Sequence, residues 1–82
     1  MTIERGTRVR VIRDPHHGPS PWPDQPTAVV GAAGFDPEYE VVEASDGPTR
    51  SYWVTFDDPQ WDAEGDGPYV TAQVLERYLV PI

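Results

Sequence analysis

The sequence predicts an all-β domain, and three observations support this fold class. Short segments such as residues 8–12 alternate apolar and polar side chains, which is typical of antiparallel strands with one buried face. Ten Pro and seven Gly residues separate these segments and favour turns and loops. No amphipathic helix is long enough to bind a partner helix or a membrane surface. A chain of 82 residues has room for one hydrophobic core, so residues 1–82 are expected to form a single domain.

The first predicted strand and the loop after it are clearly marked. Val9 and Val11 alternate with arginines, and the Asp14-Pro15 pair ends the strand, because Pro lacks the amide that a sheet requires. Residues 14–26 contain five prolines, which predicts a long Pro-rich loop, either ordered with polyproline character or flexible. Residues 27–33 follow as the second strand, with a bulge or sharp bend at Gly31.

The middle of the chain predicts a hairpin. A turn over residues 34–37 leads into a third strand at 39–43, and Asp46-Gly47-Pro48 has the composition of a tight turn. The fourth strand, 51–56, is the richest in residues that favour β-structure. Its Tyr52, Val54 and Phe56 share one face, whereas Trp53 and Thr55 share the other.

The last third of the chain predicts a loop, a helical turn and a closing strand. Residues 57–68 are acidic and rich in Gly and Pro. Residues 71–76 are compatible with one helical turn capped by Thr71, and residues 78–80 form a short strand that Pro81 ends. The elements together predict a small five-stranded SH3-like barrel, with a long Pro-rich first loop and one helical turn before the last strand.

Several residues resemble a known family. Gly6-x-Arg8-Val9-Arg10-Val11, Tyr52-x-Val54-x-Phe56-Asp57, Val74 and Tyr78-Leu79 resemble the C-terminal SH3-like barrel of the nitrile hydratase beta subunit. The ferredoxin–thioredoxin reductase variable chain has a similar barrel. The resemblance implies a fold and, at most, an accessory or partner-binding role. In the hydratase family the metal lies on a cysteine-rich segment of the alpha subunit, which has no counterpart here, so no catalytic residue is transferred.

Charge and composition reduce the number of functional classes that fit the chain. Fourteen acidic residues and six arginines give a net charge of −8, and the acids concentrate in residues 36–66, whereas residues 1–13 are basic. Such a chain is a poor binder of nucleic acid, because that binding depends on neutralising phosphates. The absence of Cys excludes disulfides and thiolate metal sites. No membrane span or signal peptide is recognisable, so we expect a cytoplasmic protein.

Few motifs in the sequence suggest catalysis or metal binding, and we expect neither enzymatic activity nor a cofactor. No nucleophile elbow or phosphate-binding loop is present. Asp62-x-Glu64-x-Asp66-Gly67 imitates the start of an EF-hand loop, but Gln73 stands where the loop needs Glu. A solvated acidic loop is therefore favoured over a calcium site. His16 and His17 are expected to be exposed rather than zinc ligands, although a site shared with residues 57–66 is conceivable.

The aromatic and acidic residues suggest a binding surface. Exposed Trp side chains beside acids favour a basic or Pro-rich protein partner, although the same rings could cover the ends of the barrel. The predicted partner-binding residues are Trp22, Trp53, Trp61, Asp57, Asp58, Asp62, Glu64 and Asp66. We therefore expect a non-catalytic protein-interaction module. The alternatives are an acidic DNA mimic, like small antirepressors that bind a DNA-binding protein, and an accessory subunit of a nitrile-hydratase-like enzyme. Acidity that serves only solubility explains the charge as well.

Overall fold

The alternating segments form one antiparallel sheet in a computed structural model that describes residues 2–82. The strands are β1 (Arg8–Val11), β2 (Thr27–Val30), β3 (Tyr39–Ala44), β4 (Gly47–Gln60), β5 (Tyr69–Leu75) and β6 (Leu79–Pro81), with a 3₁₀ helix (Glu76–Tyr78) between β5 and β6. Within the described residues, no helix is long and apolar enough to cross a membrane.

The long strand β4 organises the sheet. Neighbouring strands follow the order β3-β4-β2-β1-β6, and β5 also pairs with β4. β2 and β3 lie one after the other along one edge of β4, and β5 pairs with the opposite edge. Val54, for example, pairs with Val30 on one side and with Ala72 on the other. The register of β4 and β5 shifts between Thr55 and Gln60, where such an irregularity bends the strands. The result is a sheet curled into a half-barrel.

The concave face of the sheet holds the core, because alternate residues of a strand point to the same side. The buried core residues are Val9, Val11, Trp22, Ala28, Val30, Tyr52, Val54, Phe56, Val74 and Leu79. Tyr52 is the largest fully buried side chain. Its hydroxyl accepts a hydrogen bond from the backbone amide of Ile3 at 2.9 Å, so the segment before β1 is tied to the core.

The all-β fold class is confirmed, but one predicted element is wrong. Residues 71–75, predicted as most of a helical turn capped by Thr71, belong to β5, because they pair with β4 from Thr55↔Thr71 to Ser51↔Leu75. The helical turn begins only at Glu76. The described chain therefore has six strands where five were predicted.

Two predicted strands have different ends in the structure. β2 ends at Val30, because Gly31 has a φ of +112° and leaves the extended conformation. β4 extends beyond the predicted 51–56 in both directions and includes most of the predicted turn at 46–48 and the start of the predicted loop at 57–68. Pairing with β3 stabilises the first extension, and the Gln60–Tyr69 pair with β5 stabilises the second.

The connection between β1 and β2 has fixed internal contacts. Asp14 and Gly18 exchange two backbone hydrogen bonds of 2.8 Å, and the Asp14 carboxylate also accepts the backbone amides of His16 and His17. Farther along, the hydroxyl of the buried Ser20 accepts the amide of Trp22 at 3.1 Å. These contacts order the segment internally although it contains no regular strand.

Candidate functional site

The end of β4 and the connection from β4 to β5 carry most of the predicted partner-binding residues. We call residues 57–68 the acidic tip. β4 continues into it as far as Gln60, which pairs with Tyr69, so the tip ends a two-stranded ribbon. Trp61 follows directly and is 51% exposed. The tip therefore presents a large aromatic side chain to solvent at the end of a hydrogen-bonded ribbon.

Asp62 orders the acidic tip from within. Its Oδ1 accepts the backbone amides of Glu64 at 2.9 Å and of Asp66 at 3.0 Å. The Asp62 amide donates to the Asp66 carbonyl at 2.9 Å, and the Gly65 amide donates to the Asp62 carbonyl at 3.0 Å. Asp side chains commonly stabilise turns in this way. One carboxylate oxygen of the EF-hand-like sequence is thus engaged by the loop backbone.

Asp57 is engaged within the molecule and is not a free surface carboxylate. Arg8 donates two hydrogen bonds to it, with Nη1–Oδ1 at 3.1 Å and Nη2–Oδ2 at 2.7 Å, and the hydroxyl of Thr27 donates a third. The hydrogen bond from Arg8, followed by that from Thr27, lowers the pKa of Asp57. Asp57 therefore joins β4 to β1 and β2 on the outer face of the sheet.

The remaining acids of the tip face solvent. Asp58, Glu64 and Asp66 are exposed and form no ion pair within residues 2–82. Arginines of the described chain pair with other acids, in the pairs Arg5–Asp36, Arg8–Asp57, Arg50–Glu76 and Arg77–Asp46, and of these acids only Asp57 belongs to the tip. The negative charge around Trp61 is consequently not neutralised by the chain itself.

Trp22 belongs to the core and is not an exposed aromatic residue. It is 7% exposed, and its ring centroid lies 4.8 Å from that of Phe56 and 5.5 Å from that of Tyr69. The carbonyl of the preceding Pro21 accepts the amide of Ala63 at 2.7 Å. The Pro-rich connection and the acidic tip are therefore in contact, and Trp22 covers the core beneath them.

Trp53 lies half-buried in a different setting. The ring of Phe35 stacks on it, with centroids 3.7 Å apart and an interplanar angle of 21°. The Trp53 amide donates to the Glu38 carbonyl at 2.8 Å, and its carbonyl accepts the Gly31 amide at 2.7 Å. Residues 31–38 therefore connect β2 to β3 along one edge of β4, and both ends of this segment are hydrogen-bonded to the backbone of Trp53. We call the Phe35–Trp53 pair the aromatic platform. Phe35 was not among the predicted binding residues, since it lies within a predicted turn.

His17 joins the Pro-rich connection to the β3–β4 turn. Its Nδ1 lies 3.0 Å from Asp14 Oδ1 and its Nε2 lies 3.3 Å from Asp46 Oδ2, in the β3–β4 turn. Arg77 of the 3₁₀ helix donates to Asp46 at 2.6 Å and lowers the pKa of this carboxyl. The partners of His17 are thus not in residues 57–66. Across residues 2–82, no group of three potential ligands is placed to hold a metal ion.

Comparisons of the chain with protein-family models, with curated proteins and with solved structures found no match.

Proposed function

We propose that the protein is a non-catalytic interaction module that binds a basic protein surface through the acidic tip. The observation that carries this proposal is Trp61, which is 51% exposed and lies in the same segment as Asp58, Glu64 and Asp66, three exposed acids that form no ion pair within the described chain. A tryptophan supplies a large contact area, and such residues often dominate the affinity of protein interfaces. We propose the cytoplasm as the compartment of this interaction.

The order within the tip supports a binding role. Asp62 holds the loop backbone through two hydrogen bonds to its carboxylate, so part of the cost of ordering the loop is met before a partner arrives. The free carboxylates of Asp58, Glu64 and Asp66 would attract a basic partner and increase the rate of association at low salt. In this proposal Asp57 and Trp22 do not contact the partner, because Asp57 pairs with Arg8 and Trp22 packs in the core.

We infer further that the curled sheet is an SH3-like barrel. Support comes from the strand order β6-β1-β2-β4-β5, from β3 continuing the line of β2 along β4, and from a 3₁₀ helix just before the last strand. Barrels of this class bind extended Pro-rich segments against aromatic side chains. A partner segment containing both Pro and basic residues therefore fits the proposal best.

A defined peptide tests the proposal. The probe is a fluorescent 12-residue peptide of alternating Arg-Pro and Lys-Pro pairs, titrated with protein at low and at high salt while anisotropy is recorded. We expect Trp61→Ala to weaken binding about tenfold or more, the range typical of an interface anchor. Ile82→Ala, which removes a similarly exposed apolar side chain, serves as the control and should bind like the wild type.

The charge requirement needs its own control. The triple variant Asp58→Asn, Glu64→Gln, Asp66→Asn should bind more weakly and with less dependence on salt. The matched triple variant carries the same change in net charge outside the tip, at Glu4, Asp24 and Glu43. Equal weakening by both triple variants, or wild-type binding by Trp61→Ala, would overturn the proposal.

No specific observation favours either alternative, the DNA mimic or the accessory subunit. A DNA mimic needs its carboxylates on one face, but Glu40 and Glu43 are three residues apart on β3 and point to opposite faces. Several other acids are paired with arginines of their own chain. An accessory role beside a nitrile-hydratase-like enzyme rests on the sequence resemblance alone.

A further inference from the structure

The aromatic platform borders a groove on a part of the surface that is separate in sequence from the acidic tip. The groove has a volume of about 230 Å³ and is lined by Gly34, Phe35, Asp36, Pro37, Tyr39, Glu40 and Trp53. Sites for drug-sized molecules usually start at about 300 Å³. The groove therefore suits a single side chain of a larger partner better than a free small molecule.

The wall of the groove combines ring faces with carboxylates. Phe35 is 39% exposed even though its ring is stacked on Trp53. The Asp36 side chain is 93% exposed, and its only ion-pair contact in the described chain is with Arg5 at 3.9 Å. Glu40 accepts a hydrogen bond on Oε1 from Gln73 at 2.8 Å, which leaves its second oxygen available. Aromatic rings beside two exposed carboxylates are complementary to a cation.

Among cationic side chains, the guanidinium of arginine matches this wall best. It is planar, stacks on aromatic rings and donates several hydrogen bonds in one plane, whereas the lysine ammonium is a compact point charge. The chain uses the same chemistry internally. Arg50 lies over the ring of Tyr39 at 5.6 Å, and Arg5 donates to the carbonyl of Phe35 at 2.5 Å.

We propose that this groove binds an arginine side chain of the partner, with the guanidinium against the aromatic platform and hydrogen-bonded to Asp36 and Glu40. The inference deepens the proposed function and rests on it, since it names the residue that a basic partner contributes at a second surface. Trp53 is the reporter of this contact, and Trp61 is the reporter of the acidic tip.

The three tryptophans allow the two surfaces to be tested in one experiment. In ¹⁵N-labelled full-length protein, the three indole N–H signals are assigned by single Trp→Phe variants. N-acetylarginine amide and N-acetyllysine amide are then titrated separately. We expect the arginine probe to shift the Trp53 signal saturably. The lysine probe should reach half of its maximal shift only at a concentration at least about twofold higher, because its ammonium neither stacks on the rings nor donates several hydrogen bonds in one plane. The signal of the buried Trp22 should remain in place.

Two variants and a matched control complete the test. Phe35→Leu keeps an apolar side chain but removes the ring, and should raise the dissociation constant of the arginine probe about two- to fivefold. Asp36→Asn should raise the dissociation constant of the arginine probe at low salt. Asp24→Asn, which removes an exposed carboxylate outside the groove, should leave this constant unchanged. A Trp53 signal that does not move, or equal responses to both probes, would overturn the inference. If the indole signal of Trp61 shifts and that of Trp53 does not, the acidic tip binds the cation and the groove does not. If the signal of Trp53 shifts and that of Trp61 does not, the groove binds it and the acidic tip does not.

Discussion

Replacing Trp22 by Ala should destabilise the protein far more than replacing Trp61, although both lie in loops rich in Pro, Gly and acids. Trp22 is 7% exposed and packs on Phe56 and Tyr69, with centroids 4.8 and 5.5 Å away. Truncating a buried Trp to Ala typically costs about 3–5 kcal/mol, through lost transfer energy and the cavity left behind. The two aromatic contacts place this site in the upper part of that range.

That loss is large for a chain of this size. The free energy of unfolding of a domain is about 0.05–0.15 kcal/mol per residue, which is about 4–12 kcal/mol for 82 residues. Trp22→Ala would therefore remove a third or more of the total. If the free energy of unfolding falls by about 1.5 kcal/mol per molar urea, the midpoint of unfolding should fall by about 3 M. Trp61→Ala should change the free energy of unfolding by less than about 0.5 kcal/mol, as exposed substitutions usually do.

Urea titrations followed by far-ultraviolet circular dichroism measure both variants without relying on Trp fluorescence. Trp22→Phe serves as an intermediate case, because it keeps a ring and should lose only part of the stability. Equal midpoints for Trp22→Ala and Trp61→Ala would refute the assignment of Trp22 to the core. A variant that is already unfolded without urea agrees with it, provided that Trp22→Phe is folded and shows a lowered midpoint.

Other contacts yield shorter predictions. Hydrogen bonds from the His17 side chain and from the backbone amide before it lower the pKa of Asp14 from 3.8 to about 2. The stability that Asp14 contributes should therefore be complete above about pH 4 and lost as the pH falls towards 2. Amide exchange of His17 measures this, and equal protection at about pH 5 and pH 2 would contradict it. A double-mutant cycle of Arg8→Gln and Asp57→Asn should show coupling in urea midpoints that shrinks at high salt, whereas additive effects at low salt would argue against the ion pair. Gly67 has a φ of +143°, and an added Cβ would lie 2.7 Å from the last carbonyl oxygen of β4. Gly67→Ala should thus cost more than about 1 kcal/mol, and an unchanged melting temperature would show that the tip tolerates the side chain.

The strands that the sequence predicts best are those with strict alternation. Val9 and Val11 in β1, and Val54 and Phe56 in β4, are buried as the pattern indicates, because a half-buried strand leaves a period of two in the chain. Residues 71–75 lack such a clear pattern. Their strand conformation depends on pairing with β4, which local sequence does not encode.

The candidate site was harder to predict, for the same reason. Asp57 follows a strand and precedes another Asp, so it reads as part of an acidic loop, but its partner Arg8 lies almost fifty residues earlier. Trp22 lies between two prolines, a setting typical of exposed loops, yet the fold places it over Phe56. Among the three tryptophans, only Trp61 combines a loop position in the sequence with high exposure in the structure.

The central position of β4 also has a consequence for the order in which the protein folds. Its contact with β3 closes across the short turn from Ala44 to Gly47, whereas β1 and β6 join opposite ends of the chain at Val9 and Pro81. Contacts between distant residues carry the greater entropic cost and slow the folding of β-proteins.

We expect the β3–β4 hairpin to form first and the β1–β6 pair last. In pulse-labelling experiments, amides of the hairpin should become protected earlier, and simultaneous protection of both pairs would contradict this order. β4 would thus act as the template on which the rest of the sheet assembles, and the last step of folding would be the meeting of the first and last strands.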